Sequence, residues 1–132
     1  MKNRIHNSQN PYQGGARKVL CVCSAGLLRS PTLAVVLQRE FGFNTRAVGN
    51  EHSHALVPLD EALVAWADEI IVMDVFQGES VLTLQENMVD YNDSPVYVLE
   101  VPDNYEYMDE ELQSILLQEY KRVISGEIRP YV

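Results

Sequence analysis

The chain is poor in cysteine, in tryptophan and in positive charge. Its two cysteines, Cys21 and Cys23, stand two residues apart. On an extended segment, residues two apart leave the same face, a poor geometry for a disulfide. A disulfide framework is therefore not expected, and a reducing, cytoplasmic setting is. Two cysteines and three scattered histidines offer no zinc-ligand spacing, and neither a metal nor another cofactor is expected. Lysine and arginine number 10 against 19 aspartates and glutamates, leaving a formal net charge of −9. That balance speaks against a nucleic-acid partner, which needs a basic face for phosphate contacts. No apolar run approaches the roughly 18 residues of a membrane span, and "MKNRIHNSQNPYQGGARK" carries no apolar core for a secretory signal. No membrane association is expected.

What is present suits one globular unit. The 132 residues, 46% hydrophobic and 22% charged, suffice for one core without staples. Residues 1–15, ending at the Gly14–Gly15 pair, read as a flexible tail, and residues 16–132 as a single domain. "RKVLCVC" (Arg17–Cys23) is short, apolar and valine-rich, as a buried strand is. Ser30 is a suitable N-cap and Pro31 a suitable first residue for a helix carrying Leu33, Ala34, Leu37 and Phe41 on one face, stopped at Gly42. Strands follow at Phe43–Gly49, Asp68–Asp74 and Pro95–Val101. Helices are expected over about Leu59–Ala67, Phe76–Gln85 and Asp109–Ile124. The last has the stripe Leu112, Ile115, Leu116, Tyr120 and Val123. Strand and helix alternate, which predicts an α/β three-layer sandwich on a parallel sheet. Ligands of such sheets bind outside the carboxyl ends of the strands. The loops after Cys23, Val48, Met73 and Val101 are therefore the candidates.

The first loop carries the chemistry. Cys23 ends a strand, "SAGLL" follows, then Arg29 and a helix. The N–H groups of a tight turn and the positive helix end form an anion nest over Ser24, Ala25, Gly26, Leu27, Leu28, Arg29 and Ser30. Arg29 adds a two-pronged grip on phosphate oxygens. The same field lowers the pKa of a thiol; such cysteines fall to about 3.5–7.5. Anion binding and thiolate formation thus share one cause. Against this, Cys23 alone reads equally as a core thiol and Arg29 as a solvated residue; Arg29, Ser30 and Pro31 in register favour the chemical reading. Cys21 reads as a buried, inert thiol.

"VLCVCSAGLLRSP" resembles the low-molecular-weight protein tyrosine phosphatase signature, Cys-x5-Arg-Ser-Pro directly after the first strand. "ADEIIVMD" (Ala67–Asp74) resembles that family's third strand and "VPDNYEY" (Val101–Tyr107) its acid loop. The resemblance implies a four-stranded parallel sheet flanked by helices, the phosphotyrosine protein phosphatase I-like fold. It also implies metal-free hydrolysis of phosphomonoesters, phosphotyrosine foremost, on a protein or small aryl-phosphate substrate through a cysteinyl-phosphate. On this resemblance Cys23 is the nucleophile, Arg29 the phosphate grip, Ser30 the thiolate's partner and Asp103 the general acid. Tyr105 matches an aromatic of the substrate cleft, and His52 and His54 stand where they could contact substrate. The bland readings stay beside these: a turn aspartate at Asp103, a half-exposed loop aromatic at Tyr105, solvated histidines, and Asp93 and Asp109 as a turn residue and a helix cap or as fallback acids.

The chain departs from the family pattern at Ala25-Gly26, where Gly-Asn is usual, and at Asn104, where proline usually follows the acid. Leu28 stands where a second cysteine is common, and the loop after Val48 lacks the large aromatic. No downstream cysteines support arsenate reduction. "VCSAG" also resembles the cysteine loop of sugar phosphotransferase IIB subunits, so a phosphocarrier is one alternative and a non-catalytic phosphate-binding module another. Arg29 and Asp103 favour a phosphatase.

Overall fold

Val19, Leu20, Cys21 and Val22 are without solvent contact and Cys23 is 3% exposed, because strand β1 (Lys18–Cys23) runs through the middle of a sheet covered on both faces. The computed structural model describes residues 16–24, 28–51, 55, 57–90 and 92–131; the tail expected over 1–15 lies outside them. After β1 come α1 (Arg29–Phe41), β2 (Asn44–Gly49), α2 (Glu61–Trp66), β3 (Glu69–Val72), α3 (Val75–Glu86), β4 (Val96–Val98) and α4 (Glu110–Ile124). All four strands are parallel, in the order β2-β1-β3-β4. Cys21 pairs with Ala47 on one side and Ile71 on the other.

The alternation of side chains along β1 sorts the core into two layers. Val19, Cys21 and Cys23 face Leu33 and Leu37 of α1 and Leu112 and Leu116 of α4. Leu20 and Val22 face Val64 of α2 and Val81 of α3. The expected three-layer sandwich is therefore observed, with α1 and α4 on one face and α2 and α3 on the other. Each large apolar side chain so buried contributes about 1.5–3 kcal/mol. No helix among the described residues is long and apolar enough to cross a membrane.

Three helices start on an aspartate whose carboxylate accepts a backbone N–H: Asp60 from Leu63, Asp74 from Gln77, and Asp109 from Glu111 and Leu112. The first helix differs from expectation. Its N-cap is Leu28, which offers no side-chain hydrogen bond. Ser30 lies inside the first turn, fully buried, and its hydroxyl serves other partners. A serine capping this helix would expose its oxygen to the first-turn amides; here the oxygen instead reaches Val48 O at 3.2 Å. Gly42 closes α1 as expected, at φ 70, a left-handed conformation that glycine adopts without strain.

At the amino end of the sheet one charged residue interrupts the apolar strands. Glu69 is 2% exposed. Its Oε1 accepts from Arg17 Nε at 2.6 Å and from the Tyr120 hydroxyl at 2.7 Å. Burial, and then the Glu69 carboxylate, hold the Tyr120 phenol well above its ordinary range. Phe41 packs 5.5 Å from the Tyr120 ring. Tyr120→Phe is expected to lower stability at neutral pH by about 1–3 kcal/mol, because Glu69 loses a donor in a buried place. The parent's phenol holds its proton more tightly folded than unfolded, so its contribution is complete below about pH 10 and fades above it. The variant should lack this part of the alkaline loss. Urea unfolding at pH 7 and pH 11 measures both effects.

Beyond α4 the chain returns to the sheet. Tyr131 N–H donates to Val96 O at 2.6 Å. Its ring lies against Gly78 of α3, 3.4 Å from where a Cβ would stand, and its hydroxyl bonds Glu79.

Candidate active site

The four loops at the carboxyl ends of the strands meet around Ser24 and Arg29. A pocket of about 600 Å³ is lined by Ser24 and Arg29 after β1, by Met73, Asp74, Val75 and Phe76 after β3, and by Glu100, Val101, Pro102 and Asp103 after β4. A second hollow of about 410 Å³ shares Ser24, Asp74 and Phe76 and adds Asn50, Glu51 and Gln77. The loop after β2 is tied to the first loop by Asn50 N–H to Cys23 O (3.0 Å) and Glu51 N–H to Ser24 O (2.9 Å).

Cys23, buried at the end of β1, immediately precedes Ser24 and is itself among the lining residues of neither hollow. Ser30 Oγ is 3.1 Å from its Sγ, and Ser30 N–H donates to that sulfur at 3.4 Å. The amide belongs to the first turn of α1, so the positive end of that helix points at the sulfur. The Ser30 hydroxyl also reaches Val48 O, yet it has one proton. With a neutral thiol, S–H donates to Ser30 Oγ and the hydroxyl donates to Val48 O. With a thiolate, the hydroxyl turns its proton to sulfur. Cys21 is different: burial pushes its thiol well above the ordinary cysteine range, which suits the inert core role expected for it. Neither cysteine is in a disulfide.

Arg29 is 3% exposed and tethered. Nη1 donates to Val101 O at 2.7 Å and Nη2 to Ser24 Oγ at 3.3 Å. Nε lies 3.4 Å from Asp103 Oδ1, a charge contact whose geometry falls short of a hydrogen bond, so this buried N–H has no acceptor. Asp103 itself is about half exposed, at 53% of its side chain. The loop after β4 is held at two points: Val101 N–H on Met73 O at 3.0 Å, and Met108 N–H on Thr32 Oγ1 at 3.0 Å. Two of its residues, Glu100 and Met108, hold left-handed backbone at φ 56 and φ 61. Such strain in residues other than glycine gathers at functional loops.

Of the residues singled out in the sequence, Cys23 touches Ser30, and Arg29 touches Ser24 and Asp103. Ala25, Gly26, Leu27 and His52 lie outside the described residues, as does His54. Leu28 is 37% exposed and its carbonyl accepts from Thr32 N–H at 3.2 Å. Tyr105 departs from expectation: it packs against the core layer of α1 and α4 and does not line the 600 Å³ pocket. Burying a large ring against apolar neighbours outweighs presenting it at the mouth. The pocket's aromatic is Phe76, 83% exposed, which the sequence shows only as the start of a helix. Gln77 was equally unforeseen. It is buried, its Oε1 accepts from Met73 N–H at 2.7 Å, and its Nε2 donates to Asp74 Oδ2 (3.1 Å) and Ser24 Oγ (3.4 Å). The spacing Asp-x-x-Gln at a helix start is a capping-box pattern, the one signal that could have marked it. Among the described residues no group of three or more histidine, cysteine or acidic side chains could hold a metal ion.

The fold is that of the low-molecular-weight tyrosine phosphatases. The tyrosine phosphatase Wzb from Escherichia coli K30, solved in complex with phosphate, superposes with a TM-score of 0.63 over 84% of this chain and 98% of its own, at 16% identity. The tyrosine phosphatase amsI of Erwinia amylovora matches at a TM-score of 0.63 over 90% of this chain and 98% of its own, also at 16% identity. The arginine phosphatase YwlE from Geobacillus stearothermophilus gives 0.57, with 14% identity over 84% of this chain and 94% of its own. No protein-family model matches the sequence, and no curated protein does.

Proposed function

We propose that residues 16–132 form one catalytic domain that hydrolyses phosphomonoesters, phosphotyrosine foremost, through a cysteinyl-phosphate. The reading rests above all on one observation. The Cys23 sulfur takes the Ser30 amide and hydroxyl at 3.4 and 3.1 Å, while Arg29 and Asp103 line the adjoining pocket. The Cys23 thiolate attacks phosphorus. The phosphorus–oxygen bond to the leaving group breaks, and protonated Asp103 gives its proton to the departing oxygen. Water then attacks the thiophosphate, Asp103 takes the water's proton, and inorganic phosphate leaves with the thiolate restored. The Nε–Nη2 edge of Arg29 and the loop amides, those of Ala25, Gly26 and Leu27 among them, carry the charge of the equatorial oxygens. Ser30 supplies the hydroxyl proton that the thiolate accepts. The family's fold in Wzb, amsI and YwlE, phosphatases by name, supports the assignment. Arg29 and Asp103 also separate it from a phosphocarrier, which needs neither.

The test is turnover of p-nitrophenyl phosphate and of a poorer leaving group, phenyl phosphate, by the parent and by Asp103→Asn across pH. The parent should hydrolyse both. The variant should lose about 10²–10³-fold in kcat on phenyl phosphate, and less on p-nitrophenyl phosphate, whose leaving oxygen needs little protonation. A parent that turns over neither compound removes the phosphatase reading, and unchanged kinetics in the variant remove Asp103 from it.

A further inference from the structure

Charge at the mouth of the site is one-sided. Arg29 is the only cation among the described residues lining the two hollows, and it is buried, with an Nε that has no hydrogen-bond acceptor. The carboxylates there are Glu51, Asp74, Glu100 and Asp103. Asp74 is held by α3, accepting from Gln77 N–H and Nε2, and Asp103 has a part in the proposed chemistry. Glu51 and Glu100 have neither task. Both are exposed, and each is fixed by backbone: Glu51 by its N–H to Ser24 O at 2.9 Å, Glu100 by its left-handed turn at φ 56. Phe76, 83% exposed, stands between the hollows and lines both. An exposed aromatic ring thus lines the same pocket as a buried guanidinium whose Nε makes no hydrogen bond, an apolar wall beside a polar donor.

A phosphoryl group bound at Arg29 has its own charge answered there. Whatever carries that group projects past Phe76 between Glu51 and Glu100 and meets negative potential on both sides. Resting on the phosphatase reading above, we propose that Phe76, Glu51 and Glu100 set specificity: the site selects phosphorylated peptides with lysine or arginine flanking the modified residue. Phe76 offers an exposed aromatic ring to the flanking cations. The two glutamates favour cationic flanks and repel acidic ones.

The experiment compares two phosphotyrosine peptides of equal length, one flanked by lysines and one by aspartates. The parent at low ionic strength should show kcat/KM about tenfold higher for the lysine peptide. The ratio should shrink towards one at about 0.5 M salt, where the screening length falls to a few ångström. Glu51→Gln with Glu100→Gln should collapse the ratio at low salt, and Phe76→Ala should raise KM for the lysine peptide more than it changes kcat. A parent ratio of one or below, or a ratio untouched by the glutamate pair, overturns the inference. Calorimetric binding of the same peptides to Cys23→Ser gives the ratio without turnover. A chain that hydrolyses no phosphomonoester thus loses the phosphatase reading, while the affinity ratio still decides the inference.

Discussion

Cys23→Ser is expected to abolish turnover of p-nitrophenyl phosphate, a fall in kcat of at least about 10⁴-fold. The substitution is small in volume and keeps the hydrogen-bonding partners, Ser30 N–H and Oγ, within reach. What it removes is the sulfur nucleophile: a hydroxyl is a much weaker acid than a thiol and attacks poorly without a general base. The fold should survive, since Cys23 touches the α1–α4 layer as one small member among many. Inorganic phosphate should therefore still bind the variant with an affinity within about tenfold of the parent's. Steady-state kinetics and calorimetry separate the outcomes. Activity persisting in the serine variant would exclude sulfur as nucleophile. A parent that binds phosphate but turns nothing over would be a binding module, and one that keeps label from a phosphohistidine donor would be a carrier.

Arg29→Lys carries the second large effect. Lysine keeps the charge but is a point donor without the planar fork. In the parent that fork is divided: Nη1 holds Val101 O at 2.7 Å and Nη2 reaches Ser24 Oγ at 3.3 Å. Nε lies 3.4 Å from Asp103 Oδ1 without a hydrogen bond to it. One ammonium cannot serve the acid loop and two phosphoryl oxygens at once. The variant should lose about 10³-fold in kcat/KM, the scale of losing a preorganised charge-stabilising donor. KM should rise as well as kcat fall, because the grip acts on bound phosphate and on the transition state alike. Stability should fall by about 1–3 kcal/mol, since a buried carbonyl is left without its donor. Kinetics with thermal unfolding distinguish this from a mere folding defect: near-parental kcat/KM in folded protein would show that the guanidinium is a strut only.

The same double role explains what could and could not be read along the chain. The strands and helices were legible because apolar runs such as Val19–Cys23 and the stripe of α4 state their burial locally. The Cys-x5-Arg spacing was legible as well, because it sits where an apolar run gives way to helical periodicity. Ser30 shows the limit. By type it is a helix cap, and only the approach of Val48 and Cys23 from other parts of the sheet recruits its hydroxyl elsewhere. Glu69 is similar: one acid in "DEIIVMD" gives no sign of being buried until Arg17 and Tyr120 arrive to satisfy it. Tyr105 and Phe76 show the same limit, because exposure is decided by the neighbours of a loop. Tyr105 finds the apolar layer between α1 and α4, and Phe76 finds none.

Tyr131 has a bearing on behaviour at high concentration. β4 is three residues long and lies at one border of the sheet. There an unpaired carbonyl row invites a foreign strand, the first step of fibrillar stacking. The amide of Tyr131 occupies Val96 O, and its ring lies over Gly78. The returning segment is thus a guard rail: cutting it away makes this border adhesive.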